Sequence, residues 1–303
     1  MRFALYLGCT VPVRAMNYEV AARRTADHLG IELVDLDGFA CCGYPAKPLS
    51  WDAALLMAAN NLALAEEHGL DVCTLCSACT STLVEANKHL QEDSALRARI
   101  NDQLSENTGR RYAGTVTVRH YARILYEEVG PERLRQESSV DLSGFGFAVH
   151  YGCHFLKPAH IYDGFDDPEN PHTLGDLVAA TGARLIPYEE EDACCGGGIL
   201  AVDPDTALGI AKGKLDHVHI TDADGMIVIC PFCDIMYEIN QRSIERQFDV
   251  SYRLPVLYYP QLLGLALGYS ADEMQLRLNR VKSRELIQAF TGRARCPGAA
   301  SNG

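Results

Sequence analysis

Positive charge is what this 303-residue chain most obviously lacks. Against 40 aspartates and glutamates stand 27 lysines and arginines, a formal net charge of -13 at pH 7. No basic cluster with interleaved aromatics offsets that balance, which argues against a nucleic-acid partner. Long hydrophobic runs are missing too. Nothing reaches the roughly 18 uninterrupted apolar residues that a membrane helix needs, so the chain reads as not integral to a membrane. The opening, MRFALYLGCTVPVRAM, has an early arginine and an apolar run. That run is short, alternates like a strand, is broken by Pro12 and Arg14, and leads to no small-residue cleavage site. It reads as the first strand of a cytoplasmic protein. The remaining composition is ordinary for a globular chain, and the length suffices for two domains with real cores.

Cysteine, by contrast, is abundant, with twelve residues. In a small exported protein that count would signal disulfides; in a long chain without an export signal, grouped cysteines point to metal or redox chemistry. The grouping follows an internal repeat. FALYLGC (Phe3 to Cys9) matches FAVHYGC (Phe147 to Cys153), and FACCGYP (Phe39 to Pro45) matches DACCGGG (Asp192 to Gly198). TLCSACTSTL (Thr74 to Leu83) matches VICPFCDIMY (Val228 to Tyr237), and VTVRHYARILYEEVG (Val116 to Gly130) matches LPVLYYPQLLGLALG (Leu254 to Gly268). Four blocks in one order make the chain a duplication. We assign a first domain to 1–135, a second to 145–285 and a polar tail to 286–303, with Glu132 to Gly144 as linker.

Strand and helix signals alternate within each half. Strands are expected at Arg2 to Gly8, Ile31 to Leu36 and Leu70 to Leu75, then at Gly146 to Tyr151, Arg184 to Tyr188 and Met226 to Cys230. Helices are expected at Tyr18 to Leu29, after the N-cap Ser50, from Cys79, near Leu174 to Thr181, and from Asp205 to Thr221. The polar surplus around Gln91 to Arg111 suggests an extra helix or surface excursion. Alternation of this kind implies α/β lobes with parallel sheets, related by a pseudo-twofold. Each grouped cysteine then follows a strand, and the carboxyl edge of such sheets is the ligand crevice.

Two five-cysteine sets result: Cys9, Cys41, Cys42, Cys76 and Cys79, then Cys153, Cys194, Cys195, Cys230 and Cys233. A Cys-x-x-Cys alone fits zinc, dithiol redox chemistry or an iron–sulfur cluster. Five thiols exceed the four that one zinc takes, though zinc at one site stays open as an alternative. In PFCDIM the turn at Pro231 leads into a helix start, where free N–H groups and the dipole favour thiolates. Gly43, Gly196 and Gly197 let backbone approach a bulky cofactor and offer it N–H groups. Cys73, on the third strand, reads as a core thiol, and Cys296 as incidental. His120 reads as structural. Apolar helical faces after Leu262 either close the second lobe or dock a partner, with closure preferred.

The spacing Cys, Cys-Cys-Gly, Cys-x-x-Cys, used twice over nearly the whole chain to about Gly268, resembles the proteins with paired cysteine-rich CCG domains. Among these it is similar to the heterodisulfide reductase B subunits and their bacterial relatives. The resemblance implies two CCG lobes, each holding a non-cubane [4Fe-4S] cluster on its five cysteines. It implies an oxidoreductase subunit that reduces, or in reverse forms, a disulfide of a small thiol or a protein-bound persulfide. Its partners would be an iron–sulfur C-type subunit and a flavin-containing A-type subunit. Two protons are needed as well, and His154 as acid and Lys157 as anchor for an anionic substrate group, just after Cys153, are the candidates. The other implied role is a non-catalytic electron-transfer or membrane-anchor-like subunit of a dehydrogenase complex. CCG proteins of that kind often carry a ferredoxin run ending in Cys-Pro. CTLCSAC is followed by no such Cys-Pro, which favours the separate B-type subunit.

Overall fold

The computed structural model describes residues 1–282 and 284–290. Four strands form the first sheet: β1 (Arg2–Tyr6), β2 (Glu32–Val34), β3 (Asp71–Thr74) and β4 (Val118–His120). Four more form the second: β5 (Gly146–His150), β6 (Arg184–Leu185), β7 (Gly225–Val228) and β8 (Val256–Tyr258). Both sheets are wholly parallel and share one order, β2-β1-β3-β4 and β6-β5-β7-β8. The inner strands are buried along their length, as β5 is at every residue, because helices cover both faces of a parallel sheet. The expected two-lobed α/β architecture is what the chain adopts.

Local chemistry explains most boundaries. The helix Trp51–Glu67 starts where the Ser50 hydroxyl accepts a hydrogen bond from the Ala53 N–H at 3.2 Å. Its alanine-rich face, with Ala54, Ala58, Leu62 and Ala63, is buried, and the helix packs chiefly on the helices Ser77–Glu92 and Ser94–Thr108. The polar surplus becomes the helix Ser94–Thr108, capped by Asp93. The second strand of each lobe is shorter than expected. In the second lobe Pro187 has no N–H to give, and pairing stops one residue after β6, at the Ile186 N–H to Phe147 carbonyl bond of 2.9 Å. The segment read as linker carries a helix, Pro131–Glu137, with Pro131 in its first turn and Leu134 buried beneath it. The anticipated helical pair at the end is Tyr259–Ala266 and Arg284–Phe290, separated by turns and a short 3₁₀ segment at Leu276–Leu278. Cys296 and the tail beyond residue 290 lie outside the described residues.

The lobes clasp each other reciprocally. Met16–His28 of the first packs on Tyr259–Ala266 of the second, and Thr173–Ala180 of the second packs on Pro131–Glu137 of the first. Tyr18 stacks on Tyr258 with ring centres 4.0 Å apart. The Tyr18 hydroxyl (3.0 Å) and His120 Nε2 (2.9 Å) both donate to the carbonyl of Ile229, the residue before Cys230. Asn279 joins Asn17 of the first lobe to Gln261 and Val256 of the second, so the C-terminal segment closes the seam. Burial without a paired charge holds His120 neutral, its pKa lowered to about 4, and its Nδ1 accepts from the Ala122 N–H. That histidine is structural, as expected.

Candidate functional site

Each sheet reverses its winding between its two central strands, β1 and β3 or β5 and β7, and the carboxyl edge at such a reversal is where open α/β sheets hold ligands. Cys9 and Cys76 follow β1 and β3; Cys153 and Cys230 follow β5 and β7. Cys76 and Cys230 sit at helix N-caps in extended backbone, with Cys79 and Cys233 in the first turns. The Cys79 N–H reaches the Cys76 sulfur, and the Phe232 and Cys233 N–H groups reach the Cys230 sulfur. The helix start expected in PFCDIM is present and its N–H groups favour thiolate at Cys230, whereas contacts with Cys195 and Cys230 push the Cys233 thiol up.

The Cys-Cys-Gly turns enter from the flank. Gly43 (φ +94°) and Gly196 (φ +80°) adopt left-handed backbone, and a Cβ there would lie 2.7 Å from the Ala54 carbonyl oxygen or 2.8 Å from that of Ala207. Only glycine lets these turns rest on the long helix behind them. The turn then aims backbone N–H groups at sulfur: Gly196 at Cys194 and Gly197 at Cys195, each 3.4 Å. Gly43 and Tyr44 do the same for Cys41 and Cys42. The adjacent cysteines diverge, Cys194 exposed and Cys195 buried.

These elements bring all ten cysteines into one string of thiol contacts. It runs Cys9, Cys41, Cys42, Cys79 and Cys76 in the first lobe, then crosses to Cys230, Cys233, Cys195, Cys194 and Cys153 in the second. The order is the same outward from the Cys76–Cys230 joint in both directions. Three thiols along it, Cys42, Cys230 and Cys194, are made more acidic by the contacts with their neighbours. The contact with Cys79 lowers Cys42 to about 7, and contacts with Cys153 and Cys195 hold Cys194 far below the usual thiol range. Their neighbours Cys79 and Cys153 are pushed up by the same contacts. Thiols packed this closely cannot all ionise unaided; a cationic metal centre would neutralise them together, so the donor set fits a thiolate-bound cluster in each lobe. Cys73 stays apart, fully buried on β3, its thiol pushed up by desolvation.

Each set lines its own pocket, the second lobe's the larger, and Tyr44, Ala78 and Phe232 line both. His154 lines the second, with Nε2 3.1 Å from the Tyr44 hydroxyl. Burial lowers its pKa, and that of Tyr44 is raised to about 12. Lys157 lies outside that lining, half exposed and paired with Asp192 at 3.1 Å.

Four polar residues at the second site escaped sequence reasoning. A ring nitrogen of His150 and the sulfurs of Cys195 and Cys233 lie within 4.8 Å of one another, all buried. Lys214 is 2 % exposed, its ammonium bonded to His150 Nδ1 (3.3 Å) and to the carbonyls of Glu190 (2.5 Å) and Glu191 (3.0 Å). Desolvation lowers its pKa to about 8. Tyr237, in the π-helical turn Ile235–Ile239, is buried within reach of the charges of Cys195 and Cys233, and Ser77 lines the cavity. The repeat itself carried the signal: His150 stands where the first half has Tyr6, Lys214 where it has Asn61, Tyr237 where it has Leu83.

Fold and site together define a two-lobed α/β protein with duplicated thiol-rich crevices that meet at the lobe seam. The chain belongs to the CCG, or cysteine-rich domain, family, whose model matches residues 3–84 and 147–238. It is 36% identical over 290 residues to the B subunit of the ferredoxin:CoB-CoM heterodisulfide reductase of Methanosarcina mazei, covering 94% of this chain and 96% of that one. It is 32% identical over 285 residues to the 8-methylmenaquinol:fumarate reductase membrane anchor subunit of Wolinella succinogenes, covering 94% and 98%. A crystal structure of a hypothetical protein from Helicobacter pylori shares the fold with a TM-score of 0.74 at 16% identity, over 93% of this chain and 52% of that one. Among the described residues, no helix is long and apolar enough to cross a membrane.

Proposed function

We propose that this chain is the iron–sulfur catalytic subunit of a heterodisulfide reductase-like complex in the cytoplasm. It would reduce, or in reverse form, a disulfide or persulfide at two non-cubane [4Fe-4S] clusters, one per lobe. The observation that carries this reading is the continuous ten-thiol string with its joint at Cys76 and Cys230. Clusters bound there would supply two electrons, which with two protons from protein groups or solvent convert one disulfide into two thiols. The residues that would hold them are Cys9, Cys41, Cys42, Cys76 and Cys79, and Cys153, Cys194, Cys195, Cys230 and Cys233. Gly43, Gly196 and Gly197 would turn the backbone toward them. His154 would hold a proton at Nε2, in its hydrogen bond with Tyr44, at the wall of the larger cavity. Lys157, shared with Asp192 at the exposed rim, would meet a charged group on an entering substrate. C-type and A-type partner subunits would deliver or receive the electrons.

The Wolinella relative supports a second reading, an electron-transfer subunit without disulfide chemistry of its own, because its similarity spans the same share of this chain. Anaerobic purification with iron, sulfide and zinc counts, followed by disulfide reduction with an artificial electron donor, separates the two. About eight irons per chain and turnover support the catalytic reading; eight irons without turnover support the second. Stoichiometric zinc with little iron rejects both. Cys195→Ser should abolish one cluster signal and leave the other.

A further inference from the structure

The two lobes repeat their thiols but not the donors around them. Among the described residues five buried side-chain polar atoms lack a hydrogen-bond partner, and three of them, Ser77 Oγ, His150 Nε2 and Tyr237 Oη, border the second lobe's thiols. Ser77 Oγ stands 3.2 Å from where a Gly152 Cβ would be, and the Cys233 sulfur stands 3.4 Å from the same point. In the first lobe the donor is a hydroxyl, Thr10 Oγ1 at 3.8 Å from the exposed Cys9 sulfur, and no histidine or lysine is among the residues lining that cavity. Tyr6, in the place of His150, donates its hydroxyl to the Ala40 carbonyl at 2.6 Å. Pro231 and Leu83, in the places of Ser77 and Tyr237, have no donor to give. Thr82 touches Cys42, but its hydroxyl donates to the Ala78 carbonyl at 2.9 Å.

The histidine's tautomer follows from its neighbour. An ammonium has three N–H groups and no acceptor. Those of Lys214 are matched by three acceptors: two backbone carbonyls and His150 Nδ1. Nδ1 must therefore present its lone pair, which leaves the ring proton on Nε2. Asn61, in the place of Lys214, is neutral and bonds only backbone, accepting from the Ala40 N–H and donating to the Cys41 and Met57 carbonyls.

We infer that His150 Nε2–H, with the Tyr237 and Ser77 hydroxyls and the Lys214 charge behind it, donates to sulfur in the second lobe and makes that lobe's cluster the more easily reduced of the two. Hydrogen bonds to cluster sulfur and nearby positive charge both stabilise the more negative, reduced state. Electrons would therefore settle on the second lobe, where the larger cavity lies. This inference rests on the proposed pair of clusters.

Potentiometric titration followed by EPR tests it on the iron-loaded chain, with the second centre assigned through Cys195→Ser. The wild type should show two potentials, the second-lobe centre higher. Tyr237→Phe and His150→Leu should each shift that centre's redox equilibrium about tenfold toward oxidised, about 59 mV for one electron, and leave the other unmoved. Lys214→Met should shift it in the same sense. Tyr237→Phe removes one oxygen atom and keeps the ring, so a lost fold cannot mimic the effect. Loss of an exchangeable-proton coupling in ENDOR of His150→Leu is a second readout. Full iron with two equal potentials, unshifted variants, or a directly iron-bound histidine nitrogen overturns the inference and leaves the cluster reading standing. A chain that takes up zinc and no iron overturns both.

Discussion

The glycine of each Cys-Cys-Gly turn offers a sharp quantitative test, because what an added methyl would meet is known. In Gly196→Ala the new Cβ falls 2.8 Å from the Ala207 carbonyl oxygen on a backbone with φ of +80°. Left-handed backbone costs an L-residue about 1–2 kcal/mol. A helix carbonyl cannot rotate away like a flexible side chain, so the overlap adds about 1–3 kcal/mol of overpacking. A loss near 3 kcal/mol is expected, which lowers the melting temperature of a domain this size by roughly 6–12 °C. Gly213, in the helix Pro204–His219 of the same lobe, is the control. A Cβ there has nothing within 4 Å, so Gly213→Ala should gain about 0.5–1 kcal/mol. Thermal melts of both variants, with iron counts, read the contrast directly. Gly196→Ala within 0.5 kcal/mol of wild type, or a drop in Gly213→Ala as large as in Gly196→Ala, would refute the reasoning.

Two further outcomes concern residues away from the string. Cys73→Ala should cost about 1–2 kcal/mol through a small core cavity and leave the iron content unchanged; lost iron would make Cys73 a ligand after all. His120 should make the fold sensitive to acid, since its folded pKa of about 4 lies below the unfolded value of about 6.5. Between those values the unfolded chain binds a proton that the folded chain refuses, so stability falls as pH drops from 6.5 toward 4, by about 3 kcal/mol. Urea unfolding at pH 7 and pH 4.5 should show a smaller acid loss in His120→Gln than in wild type, and an equal loss would remove the buried imidazole as the cause.

The architecture was legible because a duplicated pattern leaves four blocks that must fold alike, and Gly-Cys after an apolar run marks a strand end in each. The ten converging thiols were legible for the same reason. What escaped was of three kinds. The helix Pro131–Glu137 hid in a polar stretch, although Pro131 and the lone apolar Leu134 are the marks of a short capped helix with one buried anchor. His150, Lys214 and Tyr237 hid because no motif announces them: each is a single exchange within a repeat, and its meaning comes from the thiols that the fold brings beside it. The contact of Cys76 with Cys230 had no local sign at all, since it depends on how one lobe sits against the other.

The reciprocal clasp of the lobes has a consequence for how such a molecule can change. Each lobe lays a helix on the other and the strand orders match, so the molecule resembles two copies of one fold joined in a single chain. In a true homodimer every substitution is made twice, so a histidine gained at one crevice is gained at the other. Covalent fusion lifts that restriction. One copy is free to carry Tyr6, Asn61 and Leu83 while its twin carries His150, Lys214 and Tyr237, so two equivalent crevices can take on different surroundings within one chain.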